Sequence, residues 1–109
     1  DHRAVFEAVR VVTRQAQKSP PSKVFLYETP SSTEQSPPLL SNVFVPNYFV
    51  NIDNFLEQKI MAMQCYENEI RDYPNPRSIK GVESYAQFRG IQSGFHHAEA
   101  FMLMRHTWA

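Results

Sequence analysis

Apolar residues recur at helical spacing near the start of the chain. Val5, Val9, Val12 and Ala16 follow one another by steps of four, three and four, while Arg3, Glu7, Arg10 and Arg14 fall on other faces. The pattern predicts a helix over Asp1 to Gln17, with Asp1 at its positive end and Ser19-Pro20-Pro21 as its break. The run KVFLYE, Lys23 to Glu28, is β-branched and aromatic and predicts a strand. Its uninterrupted apolar core, Val24 to Tyr27, suggests a strand covered on both faces, as in an α/β sheet. Thr29 to Ser41 follows as a Pro- and Ser-rich loop, expected to be mobile and to lie at the sheet edge where substrates enter.

VFVPNYFVNI, Val43 to Ile52, reads as a strand interrupted at Pro46-Asn47, where pairing must break. Asn54 with Glu57 resembles a capping box, opening a helix that should bury Leu56, Ile60, Met63 and Ile70 on one stripe, with Leu56, Ile60 and Met63 packed on the sheet. After the turn Tyr73-Pro74-Asn75-Pro76, Ser78 should cap a third helix running to about Arg89. Val82, Tyr85, Ala86 and Arg89 lie on its inner side, and Gly90 is the expected stop. Ala98 to Met104 is a candidate final strand. The order predicts an α/β layer structure with few strands, the end of a larger sheet.

Composition narrows the function classes. Eleven Lys and Arg balance eleven Asp and Glu, so the basic excess that a phosphate backbone demands is missing and nucleic acid is a poor partner. No apolar run approaches the roughly 20 residues of a membrane span, and no signal-peptide pattern is present. A single cysteine, Cys65, has no internal partner and fits a reducing, cytoplasmic compartment.

Candidate metal ligands are His2, His96, His97, His106, Cys65 and the carboxylates, but no HExxH or CxxC spacing joins them. Read as residues alone, His2 is a solvated residue at a helix start. His96 and His97 are adjacent and diverge on either a helix or a strand, which suits a polar turn. Cys65 lies off the apolar stripe and reads as structural.

Longer stretches say more. Asp1-His2-Arg3-Ala4-Val5, ETPSSTEQ at Glu28 to Gln35, FVPNYFVNI at Phe44 to Ile52, KIMAMQCYENEIR at Lys59 to Arg71, and NPRSIKGVESYAQFRGIQSGFHHAEAF at Asn75 to Phe101 occur in that order. Together they resemble the second half of the LmbE/PIG-L family of metal-dependent N-deacetylases, with its K-x-x-A-M-x-x-Y helix and closing A-x-x-R-G and A-E-A-F patterns. The resemblance covers residue 1 to about residue 106. It implies a three-layer, Rossmann-like α/β fold, of which residues 1–109 carry the C-terminal portion of the sheet and its helices.

It also implies zinc or another divalent metal, held by an A-H-P-D-D motif on the first strand and by the last His of a later H-x-D-H motif. Asp1-His2 matches the final D-H of that second motif. His2 would be the third metal ligand, and Asp1 would hold the catalytic histidine that stands two residues earlier in the family. The first motif, with its general base, is not in this sequence, so the chain is expected to be the later part of a longer enzyme and inactive alone. The implied reaction is metal-assisted removal of an acetyl group from an N-acetylglucosamine-type amino sugar or conjugate. The family often has Tyr directly before A-E-A-F where this chain has His97. His97 either replaces that phenol as a hydrogen-bond donor to substrate or is a surface variant. Glu99, in an apolar stretch, is expected to be buried with a hydrogen-bond partner. Two other readings stand beside this one: a non-catalytic α/β interaction or scaffold domain, and a helical module that binds a partner through Met61, Met63 and their neighbours.

Overall fold

The computed structural model describes residues 1–16 and 18–109. In chain order they form α1 (His2–Val12), β1 (Lys23–Tyr27), a short 3-10 turn (Leu40–Asn42), β2 (Tyr48–Asn51), α2 (Leu56–Gln64), α3 (Ile79–Ser93) and β3 (Ala98–His106). The result is a small α/β structure whose three strands are antiparallel, in the order β1-β3-β2. Two compact units divide the chain. One comprises Asp1–Leu26 with Leu103–Ala109, and the other comprises Tyr27–Met102.

In the first unit α1 starts after Asp1, whose carbonyl accepts from Val5 N–H at 3.1 Å. Glu7 and Arg10 pair along its surface at 2.8 Å. The helix ends sooner than its apolar spacing suggests. Thr13 donates both its N–H (3.0 Å) and its hydroxyl (2.7 Å) to the Val9 carbonyl, and the chain turns there. Ala16 therefore lies beyond the helix, and Gln17 is outside the described residues. The end of α1 is tied down by Arg105, which donates to the Thr13 carbonyl, and Gln15 donates to the Thr107 hydroxyl at 3.2 Å. The stripe itself stays largely open, since Val5 and Val12 are 61% and 62% exposed and Val9 is 40% exposed. Thr107 N–H donates to the Ser22 carbonyl at 2.8 Å at the start of β1. Of the apolar run Val24–Tyr27 only Val24 is buried, and Tyr27 is exposed. An antiparallel sheet leaves strand faces open to water in a way that a helix-covered parallel sheet does not.

The second unit holds β2, α2, α3 and the first half of β3. β2 pairs with β3 in the register Tyr48↔Phe101, Phe49↔Ala100, Val50↔Glu99 and Asn51↔Ala98. Pro46 precedes this ladder, as its missing N–H requires. α2 packs on α3, and α3 packs on β2. The core is built from small residues: Val82 and Ala86 of α3, Ala98 and Ala100 of β3, and Ile52. α2 opens at Leu56 without a side-chain cap, so Asn54 and Glu57 form no capping box. Its residues Leu56, Ile60 and Met63 are half-buried, and Ile70 falls beyond the helix end.

Ser78 does cap α3, its hydroxyl accepting from Gly81 N–H at 2.9 Å. The helix runs past Gly90 to Ser93 and stops at Gly94, whose φ of 80° is open to glycine without strain. Gly90 has another use. A Cβ there would lie 2.6 Å from the carbonyl oxygens of Phe95 and His96, so only glycine lets the returning chain pass this close. That approach delivers the chain directly into β3. Among the described residues no helix is long and apolar enough to cross a membrane.

Candidate functional site

A charged residue on the inner side of a helix needs a partner, and Arg89 of α3 finds several. Its Nε donates to Glu28 Oε1 at 2.9 Å and its Nη2 to Glu28 Oε2 at 2.7 Å, a fork-to-fork pair. Nη1 donates to Gln92 Oε1 at 2.8 Å. The guanidinium also lies 5.5 Å from the Phe44 ring centre and 5.2 Å from that of Phe88, within cation–π range. The two charged side chains are only 11% and 16% exposed, so this pair is largely shielded from solvent. It joins α3 to both ends of the segment from Glu28 to Phe44.

Tyr85 lies one helical turn before Arg89. Burial raises its phenol to a pKa of about 12, reinforced by the charge of Glu34, by its hydrogen bond to Glu34 and by the charge of Glu28, with Arg89 opposing. Tyr85 is therefore a fixed donor at neutral pH and not a base. Glu34 also accepts from Ser31 N–H at 2.5 Å, and Thr33 Oγ1 accepts from Thr29 N–H at 2.8 Å. These local bonds hold Ser31 at a φ of 73°, a conformation that L residues seldom adopt. The Pro- and Ser-rich loop is thus folded on itself by its own side chains.

Two recesses flank the Glu28–Arg89 pair. The first, about 210 Å³, is lined by the charged residues Glu28, Arg89, Lys59 and Glu99, by Ala86, Ala98 and Ala100, and by Tyr27, Tyr85 and Phe101. Lys59 Nζ and Glu99 Oε1 are 2.8 Å apart, each side chain 37% exposed. Glu99 thus has the partner expected of it but is half-buried rather than buried. The second recess, about 320 Å³, is lined by Thr33, Glu34, Ser36, Asn42 and Phe44 together with Glu28, Tyr85 and Arg89. The linings set these charged and hydrogen-bonding groups beside apolar surface, Tyr27 and Phe101 in the first recess and Pro37, Pro38 and Val43 in the second.

Compared with family models, with curated proteins and with solved structures, the chain matches none.

The residues singled out by the sequence take separate places. Asp1 and His2 are exposed at the start of α1 in the first unit, and the Asp1 side chain makes no capping bond. Among the described residues no three His, Cys, Asp or Glu side chains gather as a metal-binding group. Asp1 and His2 thus supply one imidazole and one carboxylate, and these residues do not make a self-contained metal site. His97 belongs to the second unit, where its backbone N–H donates to Asp53 Oδ1 at 2.6 Å and its Nδ1 lies 3.4 Å from the same oxygen. It is half-buried and lines neither recess. Its carbonyl accepts from Ile52 N–H at 3.1 Å, so the pair with Asp53 closes the end of the β2–β3 ladder. His96 and His106 are exposed, with His106 set edge-on to Trp108 at 5.7 Å. Cys65 is exposed and points its thiol at the Met61 carbonyl, 3.4 Å away.

Sequence reasoning passed over Glu28, Glu34 and Asp53 as functional candidates. The available signal was Arg89 itself: a guanidinium on an apolar stripe implies a carboxylate from elsewhere in the chain. The sequence does not say which carboxylate.

Proposed function

We propose that this chain is the later part of a divalent-metal-dependent N-deacetylase of the LmbE/PIG-L type, with the three-layer Rossmann-like fold that such a domain implies. The substrate is an N-acetylglucosamine-type amino sugar or a conjugate of one. His2 contributes one of the metal ligands (zinc being the expected ion), Asp1 steadies the histidine that precedes it in the family motif, and His97 donates a hydrogen bond to substrate. The observation that supports this reading best is the way the resembling stretches meet. Glu28 of ETPSSTEQ pairs with Arg89 of the A-x-x-R-G pattern, 61 residues away. Lys59 of the K-x-x-A-M helix pairs with Glu99 of A-E-A-F.

Among the described residues no group of three or more His, Cys, Asp or Glu could hold a metal ion, so no catalytic step is assigned to them beyond those ligand and positioning roles. The test is to join the chain to an upstream segment carrying A-H-P-D-D and the His-x that precedes Asp1. The joined protein should release acetate from an N-acetylglucosamine conjugate, and His2→Ala should abolish both this activity and tight zinc binding. Zinc affinity unchanged by His2→Ala would refute the role given to His2.

A further inference from the structure

We infer that the recess between Lys59–Glu99 and Glu28–Arg89 is a binding site for a small zwitterion, such as a free α-amino acid. The inference rests on the second unit alone and stands whether or not the deacetylase reading is right.

Two cations and two anions line one recess, joined as two ion pairs. An apolar ligand would strip water from the half-exposed Lys59–Glu99 pair and return nothing to it. A simple anion would meet Lys59 and Arg89 but also Glu28 and Glu99 beside them, and a simple cation would meet the converse. A molecule carrying an ammonium and a carboxylate on one carbon presents both signs a few ångströms apart. Its carboxylate can reach Lys59 and the N–H groups of Arg89 not committed to Glu28 or Gln92. Its ammonium can reach the remaining carboxylate lone pairs of Glu99 and Glu28.

The two pairs differ in a useful way. Glu28–Arg89 is shielded, bidentate and backed by Gln92 and two aromatic rings, so it is a fixed reference. Lys59–Glu99 is a single contact open to solvent, so it can reform around a ligand at little cost. The volume, about 210 Å³, is below the range usual for drug-sized ligands and suits a single amino acid. Ala86, Ala98 and Ala100 leave room where larger side chains would fill the space.

The test is an NMR titration of the isotope-labelled 109-residue chain with L-alanine, N-acetyl-L-alanine and L-alaninamide. L-Alanine should shift the amides of Ala86, Ala98 and Ala100 in a saturable way. Each blocked compound, lacking one of the two charges, should bind at least about tenfold more weakly. Lys59→Met and Glu99→Gln should each weaken L-alanine by about tenfold, and Lys59→Arg should keep most of the affinity, with circular dichroism confirming that each variant is folded. Equal binding of the blocked compounds would overturn the proposal. So would the same shifts produced by glucose or glycerol, or an absence of saturable shifts at the three alanines with L-alanine.

Discussion

Replacing Arg89 by Met removes the charge at the centre of the second unit while keeping much of the side-chain volume. It deletes the paired bonds to Glu28 at 2.9 and 2.7 Å and the bond to Gln92 at 2.8 Å. It also leaves a carboxylate with 16% exposure and no cation beside it. Breaking a buried pair from one side costs about 3–5 kcal/mol, and the residual exposure here argues for the lower end, about 3 kcal/mol. Glu28→Gln should cost a similar amount from the other side, because the guanidinium is then left without its counter-charge. The double variant leaves no charge unpaired, so its loss should fall short of the sum by about 2 kcal/mol. Domain stabilities of about 5–15 kcal/mol and urea m-values of about 1–3 kcal/mol per molar turn 3 kcal/mol into a midpoint shift of about 1 M or more. Urea unfolding of the four proteins, followed by circular dichroism, measures the coupling directly. Additive losses, with a coupling under about 0.5 kcal/mol, would show that the pair does not hold the segment from Glu28 to Phe44 to α3.

Ser78→Ala should cost about 1 kcal/mol in the same urea assay, because it removes the acceptor for Gly81 N–H. Gly94→Ala should cost about 1 kcal/mol from backbone strain alone, since nothing lies within 4 Å of the added Cβ. Gly90→Ala should cost more than Gly94→Ala, because its Cβ meets two carbonyl oxygens at 2.6 Å. Tyr85 has a folded-state pKa of about 12, raised from 10.0, so folding favours its protonated form. Its contribution to stability is fully present below pH 10.0 and is lost as pH rises through about 12. Ultraviolet titration should find one tyrosine that ionises late, and Glu34→Gln should bring it back toward its ordinary value.

Local rules were legible where the responsible residues are neighbours in sequence. Ser78 caps α3 because a hydroxyl at that position reaches Gly81 without help from elsewhere. β1 appears where its β-branched and aromatic content places it, and β3 starts at Ala98 as expected, although it runs on to His106. The local capping box at Asn54 and Glu57 does not form, and other expectations failed where tertiary approach decides. Gly90 reads as a stop, yet it is a contact point for Phe95 and His96, and the left-handed residue is Gly94. The regular spacing of Val5, Val9 and Val12 gave the position of α1 but not whether anything covers it. In the site, the Arg89 partner lies 61 residues away, and no spacing rule links the two. The metal reading of His2 came from the family resemblance, and nothing about a terminal, exposed imidazole would have suggested it.

The most direct test of the deacetylase reading is acetate release from an N-acetylglucosamine conjugate, measured with zinc affinity on the chain joined to an upstream A-H-P-D-D segment. The account expects acetate release and tight one-to-one zinc binding by the joined protein, with both lost on His2→Ala. Asp1→Asn should slow turnover strongly while changing metal affinity less, because it disturbs the neighbouring histidine without removing a ligand. The 109-residue chain alone should bind zinc weakly and release no acetate. Tight one-to-one zinc binding by that chain alone, or a joined protein whose zinc affinity and activity survive His2→Ala, would contradict it.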